Sequence, residues 1–178
     1  MYSNPIIKLM PLQAGDRDQF IRDNQEAFNY SALQEFGLRD DHVEEDGEII
    51  SRKTIEDSID GNGAEAYRIV CDGEVVGGVV IKTDGSHGDL ELLFISPHAH
   101  NKGIGYRAWC EIEKTHPEIT VWETVTPYFE KRNIHFYVNL CGFHIVEYFN
   151  SYHPEPNDPD GQGDGDSDEM FRFQKIME

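Results

Sequence analysis

The residues of this chain that are best suited to chemistry form a six-residue turn, HNKGIG, which joins an apolar run to a stretch with helical spacing. Gly103 and Gly105 have no side chain, so a bulky anion can approach the backbone closely. The N–H groups of Asn101 to Tyr106 lie at or before the first turn of the expected helix, where they have no intrahelical partner and a favourable dipole. Because Lys102 adds a positive charge, the turn predicts a site for a pyrophosphate group.

Two other phosphate-binding patterns do not match this turn. It lacks the GxxxxGK[ST] of a Walker P-loop, and its single GxG has no third glycine at the spacing of the dinucleotide fingerprint. An ordinary loop that leads into a helix is the alternative interpretation, so the turn needs support from its surroundings.

Hydrophobic spacing and turn residues predict the strands around the turn. Leu90–Ile95 is nearly continuously apolar, as expected of a central strand buried on both faces, and Pro97 ends it. Asp72-Gly73 and Asp84-Gly85-Ser86 indicate hairpin turns. The expected strands span residues 6–10, 67–71, 75–81, 90–95, 119–125, 143–149 and 170–176.

Helical stretches separate some of these strands. Asp16 begins the first, with Gln19 three residues later as its partner in a capping box. Ser51 caps a short second helix, a third follows the glycine turn to Thr115, and a fourth, Tyr128–Cys141, ends at a glycine. Crossovers through helices require parallel pairing and hairpins require antiparallel pairing, so we expect an α/β (α+β) fold with a mixed sheet.

The order of these elements and two sequence patterns resemble the GNAT superfamily of N-acetyltransferases. Strand-[VI]-x-Pro-x-x-[Q/R]-x-x-Gly-x-Gly-helix is similar to its acyl-CoA-binding motif, and RNIHFYVNLCGFHIVEY is similar to its second signature. The matching residues are Ile95, Pro97, Gly103 and Gly105 in the first pattern, and Phe136, Tyr137, Gly142 and Phe143 in the second. The resemblance covers roughly residues 4–150 and the terminal strand. It implies one domain over 1–178, with a mostly antiparallel central sheet of about seven strands flanked by helices, and with a flexible acidic loop at 155–168.

The resemblance implies acetyl-CoA as the co-substrate. In this family the pantetheine arm lies beside the strand before the glycine motif, like a short extra strand. The implied contact residues are Leu93, Phe94, Ile95, His100, Asn101, Lys102, Gly103, Ile104, Gly105 and Tyr106. Two positions depart from the family pattern. His100 replaces a Gln or Arg but can still donate one hydrogen bond, whereas Glu130 replaces an Asn and cannot act as an amide donor.

The resemblance also implies direct attack of a primary amine on the thioester in a ternary complex. Tyr137 matches the family's tyrosine, which implies a general acid for the departing thiolate. A tyrosine that only packs in the core is the alternative. Asp89 and Glu91 are the candidate bases, since they lie two residues apart on one strand and share a face. They could instead mark a solvated strand end, with an ordered water chain serving as the base.

The charge of the chain restricts its partners. Asp and Glu total 34 against 15 Lys and Arg, and the net charge of -19 argues against nucleic acid or an anionic membrane surface. It is compatible with a cationic amine acceptor. Two acidic clusters, 40–46 and 158–169, are expected to border the acceptor side, with simple solubilisation as the alternative.

Cysteine usage and histidine spacing exclude several other roles. The three cysteines form no CxxC pair or disulfide framework, and no signal peptide is apparent, so we expect a cytoplasmic protein. His98 and His100 lack further ligands for zinc, so no metal is expected.

The sequence therefore predicts an N-acetyltransferase that transfers an acetyl group from acetyl-CoA to a primary amine of a small molecule or peptide. A catalytically inactive module of the same fold, which binds acyl-CoA or a protein, is the alternative. The acceptor and the oligomeric state stay open, and a homodimer is compatible with the sequence.

Overall fold

The computed structural model describes residues 4–36, 47–156 and 169–178. Within these ranges, seven strands form one sheet, and four α-helices accompany it. The strands are β1 Ile7–Pro11, β2 Ala64–Cys71, β3 Glu74–Asp84, β4 His87–Ile95, β5 Val121–Pro127, β6 His144–Phe149 and β7 Met170–Ile176. The helices are α1 Arg17–Phe36, α2 Arg52–Asp60, α3 Ile104–Thr115 and α4 Lys131–His135. The predicted α/β class and seven-stranded sheet are confirmed.

The strands lie side by side in the order β1-β2-β3-β4-β5-β7-β6, and every neighbouring pair except β4 and β5 is antiparallel. The predicted hairpin turn between β2 and β3 is present, because Asp72 and Gly73 both adopt positive φ angles, 50° and 89°. The parallel pair arises because α3 carries the chain from the end of β4 back to the start of β5.

Helices on both faces of the sheet create two hydrophobic cores. One core lies under α1 and α2 and includes Phe20, Ile55, Leu92 and Phe94. The other lies under α3 and the segment after α4, and its residues include Leu90, Ile104, Trp109, Trp122, Tyr137, Phe143 and Phe173. Strand β4 contributes to both cores, which explains its nearly continuous apolar sequence.

The N-termini of α1 and α2 are capped differently. Ser51 accepts a hydrogen bond from the Thr54 N–H at 3.1 Å, so the predicted cap of α2 is confirmed. The predicted capping box at Asp16 is wrong. Asp16 ends a short 3₁₀ turn that leads directly into α1, and the Gln19 amide donates to Asp23 at 2.7 Å instead of reaching back to the cap.

The fourth helix is shorter than predicted. Only Lys131–His135 is α-helical, and a π-helical turn, Phe136–Leu140, continues it, with the Cys141 N–H donating to the Phe136 carbonyl at 3.0 Å. Gly142 then adopts a φ of 81° and ends the segment as expected. A single wide turn does not alter the hydrophobic spacing enough to be recognised in a sequence.

No helix in the described part of the chain is both long and apolar enough to cross a membrane. Except for Glu169, the two acidic clusters, 40–46 and 158–169, lie outside the described residues.

Candidate active site

The glycine turn has the backbone shape that an anion site requires. Asn101 and Gly103 both adopt left-handed conformations, with φ angles of 62° and 69°. Gly103 is the N-cap of α3, and the Arg107 N–H donates to its carbonyl at 3.2 Å. The N–H groups of Ile104, Gly105 and Tyr106 precede that first intrahelical bond, so they are the groups that can bind an anion at the helix start. Exposed Lys102 lies beside them.

Gly105 keeps a gap open next to this turn. A Cβ added at Gly105 would lie 3.4 Å from the ring of Phe136 and 3.7 Å from Ile95. A methyl group would therefore fit in ordinary contact, but a branched side chain would fill the space between the end of β4 and the π-helical turn. The glycine turn and this gap together form the cradle of the candidate site.

A cleft opens between β4 and β5 below the cradle. The two strands pair only where His87–Asp89 meets Val121–Glu123. The Thr124 hydroxyl then donates to the Leu90 carbonyl at 2.9 Å, and no pairing between the two strands follows. The backbone of β4 beyond that point is available to a ligand that lies along it.

The three predicted residues of β4 differ in what they offer to this cleft. The Ser96 N–H donates to Val76 of β3, and because antiparallel pairing alternates, the Phe94 backbone also faces β3. Leu93 and Ile95 direct their backbone groups to the opposite edge, towards the cleft. Phe94 instead packs its ring against Phe20, with ring centroids 5.1 Å apart.

His100 holds the loop after β4 in place. Its Nε2 lies 2.6 Å from the Ile95 carbonyl, so this nitrogen carries the proton and donates. The ring also contacts Tyr30 edge-on, with centroids 5.4 Å apart. Burial lowers the pKa of His100, which favours the neutral ring. The hydrogen bond that we expected His100 to offer a cofactor is therefore made within the protein.

Tyr137 lies at the closed end of the cleft. Its ring is buried and contacts Phe143 and Phe173, while its hydroxyl lies near the side chain of Thr124. Burial raises the pKa of Tyr137 above its ordinary value, so the phenol keeps its proton. Tyr137 is thus both a core residue and a protonated donor beside the last contact between β4 and β5.

The two candidate bases have different partners. Glu91 lies where the register between β3 and β4 shifts, and its carboxylate is 3.5 Å from the Lys82 ammonium. Asp89 instead lies 3.2 Å from His87 Nε2. Asp89 therefore belongs to a cluster with a histidine, whereas Glu91 is paired with a lysine.

Several residues of this region were not predicted from the sequence. His87, Glu123 and Arg172 join Asp89 in a network of polar side chains, and Thr124 contacts Tyr137. No sequence signal identifies Glu123 or Arg172, because their contact depends on the pairing of β5 with β7.

Comparison with known proteins identifies the family. A model of the acetyltransferase (GNAT) family matches residues 21–143. The chain belongs to the GNAT family. It is also 42% identical over 182 residues to the uncharacterized protein YrkN of Bacillus subtilis (strain 168), with 98% of this chain and 96% of that protein covered.

Solved GNAT structures share the fold at low sequence identity. The ribosomal-protein-S18-alanine N-acetyltransferase of Escherichia coli superposes with a TM-score of 0.67 at 12% identity, over 96% of this chain and 94% of that chain. The spermidine N-acetyltransferase of Vibrio cholerae, solved with CoA and spermine, gives 0.64 at 14% identity, over 96% and 95%. PaiA N-acetyltransferase of Thermoplasma acidophilum, solved with CoA, gives 0.63 at 16% identity, over 97% and 99%.

The second departure from the GNAT pattern has a local explanation. The Glu130 carboxylate accepts a hydrogen bond from the Asn133 amide at 3.1 Å, and the same amide lies 3.2 Å from the Thr126 hydroxyl. The Asn133 amide, three residues after the position where the family pattern has Asn, therefore donates within the protein to Glu130 and Thr126.

Cys141, His98 and His100 could also take part in chemistry, but their surroundings in this GNAT domain argue against it. Burial raises the pKa of the Cys141 thiol to about 12, so it is not an activated nucleophile. His98 lies 3.3 Å from Glu74, while His100 is bonded to Ile95. The two histidines therefore have separate contacts.

Proposed function

We propose that this GNAT protein is an N-acetyltransferase that transfers an acetyl group from acetyl-CoA to a primary amine of a small molecule or peptide. The observation that carries the proposal is the cleft between β4 and β5, which has the glycine cradle at its open end and the Tyr137–Thr124 pair at its closed end. The known structures of the fold with CoA or acetyl-CoA support the choice of co-substrate.

The residues of the chain fit acetyl-CoA in two ways. The cradle supplies backbone N–H groups, the left-handed Gly103 and Lys102 for a pyrophosphate. The edge of β4 supplies the backbone groups of Leu93 and Ile95 for an extended amide-containing arm. Acetyl-CoA itself supplies an activated thioester.

Three proton transfers complete the proposed reaction. Tyr137 donates a proton to the sulfur as the thiolate leaves, because its phenol stays protonated and lies at the closed end of the cleft. A carboxylate on β4 accepts the first proton from the acceptor's ammonium group, and the second proton, which nitrogen loses as the amide forms, restores the Tyr137 phenol. Asp89 is better suited than Glu91 to this role, because Lys82 already pairs with Glu91.

The acceptor is proposed to be cationic at neutral pH. The net charge of -19 and the carboxylates on the acceptor side of β4 and β5 support this proposal. The structure of the spermidine N-acetyltransferase contains spermine, which is such an amine. At 14% sequence identity, this similarity shows a shared fold and not a shared acceptor.

Thiol release from acetyl-CoA tests the proposal. The purified chain would be mixed with acetyl-CoA and, separately, n-hexylamine, 1,4-diaminobutane, lysine amide and a tripeptide with a free N-terminus. Amine-dependent thiol release supports an enzyme. Thermal stabilisation by CoA without turnover of any amine would favour the inactive acyl-CoA-binding module, for which the His100 and Glu130 departures are the supporting observations.

A further inference from the structure

Thr124 lies at the point where β4 and β5 separate. Its side chain is buried, and its hydroxyl donates to the Leu90 carbonyl at 2.9 Å. The paired part of the two strands ends one residue earlier, where Asp89 meets Glu123. The side-chain bond therefore extends the contact between the strands by one position and forms the closed end of the cleft.

Packing brings Tyr137 to the same position. Thr124 is directly opposite Phe173 in the ladder between β5 and β7. The Tyr137 ring packs against Phe173, with ring centroids 5.4 Å apart, and both rings belong to the core on the α3 side of the sheet. The Tyr137 hydroxyl consequently lies near the Thr124 side chain.

The Thr124 hydroxyl has one proton and two lone pairs, so it can donate to only one acceptor at a time. In this structure the Leu90 carbonyl is that acceptor. The Thr124 oxygen therefore presents a lone pair to Tyr137. A lone pair suits a neutral phenol, which is itself a donor, but it would repel a phenolate.

The other surroundings of Tyr137 do not favour a phenolate. Its ring packs against phenylalanines, which have no hydrogen-bond donors. Burial is the main cause of the raised pKa of Tyr137, and the neighbouring Cys141 and Glu130 raise this pKa further. The Thr124 side chain lowers it. A general acid becomes a phenolate once it has given its proton away, and the Thr124 hydroxyl is placed to donate to that charge.

We propose that Thr124 is a positioning residue whose O–H turns from the Leu90 carbonyl to the Tyr137 oxygen as Tyr137 gives its proton to the sulfur. The inference rests on the proposed function and adds Thr124 to it. The O–H bond of Tyr137 breaks, its proton forms an S–H bond with the leaving thiolate, and its electron pair stays on the phenolate oxygen. Thr124 keeps its own proton throughout and changes only the acceptor to which it donates.

The relative strengths of the two hydrogen bonds decide the direction of this turn. A hydrogen bond to a charged oxygen is roughly twice as strong as one between neutral groups. The Leu90 carbonyl therefore accepts from Thr124 while Tyr137 is a phenol, and the phenolate accepts from Thr124 afterwards. The second proton that nitrogen loses as the amide forms restores the phenol, and the Thr124 O–H turns back to Leu90.

The test measures kcat with acetyl-CoA and the fastest acceptor among n-hexylamine, 1,4-diaminobutane, lysine amide and the tripeptide. Thr124→Val should lower kcat about 5- to 50-fold, because it removes the hydroxyl and keeps the volume, with the dissociation constant of CoA changed less than about threefold. Thr124→Ser keeps the hydroxyl and should recover kcat to within about threefold of the wild type. If Thr124→Val does not fold, Thr124→Ala removes the same hydroxyl with a smaller side chain and replaces it.

Thr120→Val is the matched control. The Thr120 hydroxyl donates to the Ser86 carbonyl at 3.3 Å, as the Thr124 hydroxyl donates to Leu90. Thr120 is exposed and lies just before β5, at the end of the ladder with β4 that is away from the cleft. The variant should therefore keep the kcat of the wild type.

A double-mutant cycle with Tyr137→Phe separates positioning from packing. If Thr124 acts through Tyr137, Thr124→Val should lower kcat less than about twofold once Tyr137 is already Phe. A purely structural role of Thr124 would give the same fold-reduction in both backgrounds.

Four outcomes would overturn the inference in distinguishable ways. An equal loss of kcat from Thr124→Val in both backgrounds would make Thr124 structural, and a wild-type kcat in Thr124→Val would leave it without a role; the proposed function would stand in either case. A Thr124→Ser variant as slow as Thr124→Val would assign the effect to the methyl group. If the wild type turns over no amine, the proposed function falls and this inference falls with it.

Discussion

The cradle at the open end of the cleft consists of backbone, whereas the closed end consists of side chains. Gly103, Gly105 and the first N–H groups of α3 come from one continuous stretch of sequence. Asp89, Glu123 and Tyr137 come from three separate elements that meet only in the folded sheet. The difference suggests that the cradle is sensitive to added volume, whereas the closed end is sensitive to isosteric changes that remove a proton or a charge.

The largest effect is expected from Gly105→Val at the cradle. Its branched side chain would fill the gap between Ile95 and Phe136, so CoA affinity should fall at least about 1000-fold, or about 4 kcal/mol. Calorimetric titration with CoA measures the effect, and circular dichroism checks the fold. Gly105→Ala is the control, because a methyl group fits at 3.4 Å and should cost much less. Unchanged CoA binding by the Val variant would remove the cradle from the cofactor site.

Tyr137→Phe tests the closed end of the cleft with almost no change in side-chain volume. We expect kcat to fall about 10- to 1000-fold with little change in CoA affinity, because the ring packing remains and only the proton donor is lost. Steady-state turnover and CoA titration separate these two quantities. Tyr152→Phe, at a 96% exposed tyrosine, should behave as the wild type. A wild-type kcat in Tyr137→Phe would leave this tyrosine with a packing role alone.

Two isosteric changes on β4 test the choice of base. Asp89→Asn should lower kcat/KM for the amine about 10- to 100-fold, since it removes the proposed proton acceptor. Glu91→Gln should lower it less than about threefold, because that carboxylate already pairs with the Lys82 ammonium at 3.5 Å. The same amine assay measures both. The reverse order of the two effects would transfer the role of base to Glu91.

His100→Phe removes a hydrogen bond from the loop that connects β4 to the cradle. The variant keeps a ring beside Tyr30 but loses the donor to the Ile95 carbonyl, so CoA affinity should fall about two- to tenfold, the range for one hydrogen bond. Calorimetric titration with CoA measures the change. His98→Phe is the control, because His98 is exposed and its ion-pair partner is Glu74, at 3.3 Å. Equal CoA affinity in His100→Phe and the wild type would contradict the proposed role of this bond.

The pH dependence of folding provides a second measurement on His100. The pKa of His100 in the folded state is lowered below its ordinary value of 6.5, so the unfolded chain binds more protons between the two values. The contribution of His100 to stability should therefore be constant above pH 6.5 and be lost as pH falls towards the folded-state pKa. Thermal unfolding of the wild type and His100→Phe from pH 5 to 8 measures it, and parallel curves would contradict it.

The smallest expected effect concerns the acidic segment between β6 and β7. Deleting Asp158 to Ser167 should lower kcat/KM for a cationic amine about two- to threefold at low salt, because a negative field raises the local concentration of a cation. The difference should vanish at 1 M salt, where the Debye length is about 3 Å. A neutral poly-Gly-Ser segment of the same length is the control. If the deletion and added salt both leave kcat/KM unchanged, the segment has no part in recognition.

The local features of the fold were predictable because neighbouring residues specify them. Asp72-Gly73 adopts the left-handed angles of a tight hairpin, Ser51 caps α2, and Gly142 ends the helical segment with a positive φ. The glycine turn is of the same kind, since its conformation depends on residues a few positions apart. The capping box at Asp16 failed because the 3₁₀ turn before α1 begins the helical backbone two residues earlier.

The sequence by itself determined the family, the order of the elements and the cradle, because motif spacing and turn chemistry act over short distances. Only the tertiary structure decided the closed end of the cleft. The register of β4 with β5 brings Asp89 opposite Glu123, and the pairing of β5 with β7 supplies Arg172 and Gln174. The partners of Asp89 and Glu91 also depend on that packing, since His87 approaches one carboxylate and Lys82 approaches the other. Such contacts join residues that are distant along the chain, and no local pattern of residue types encodes them.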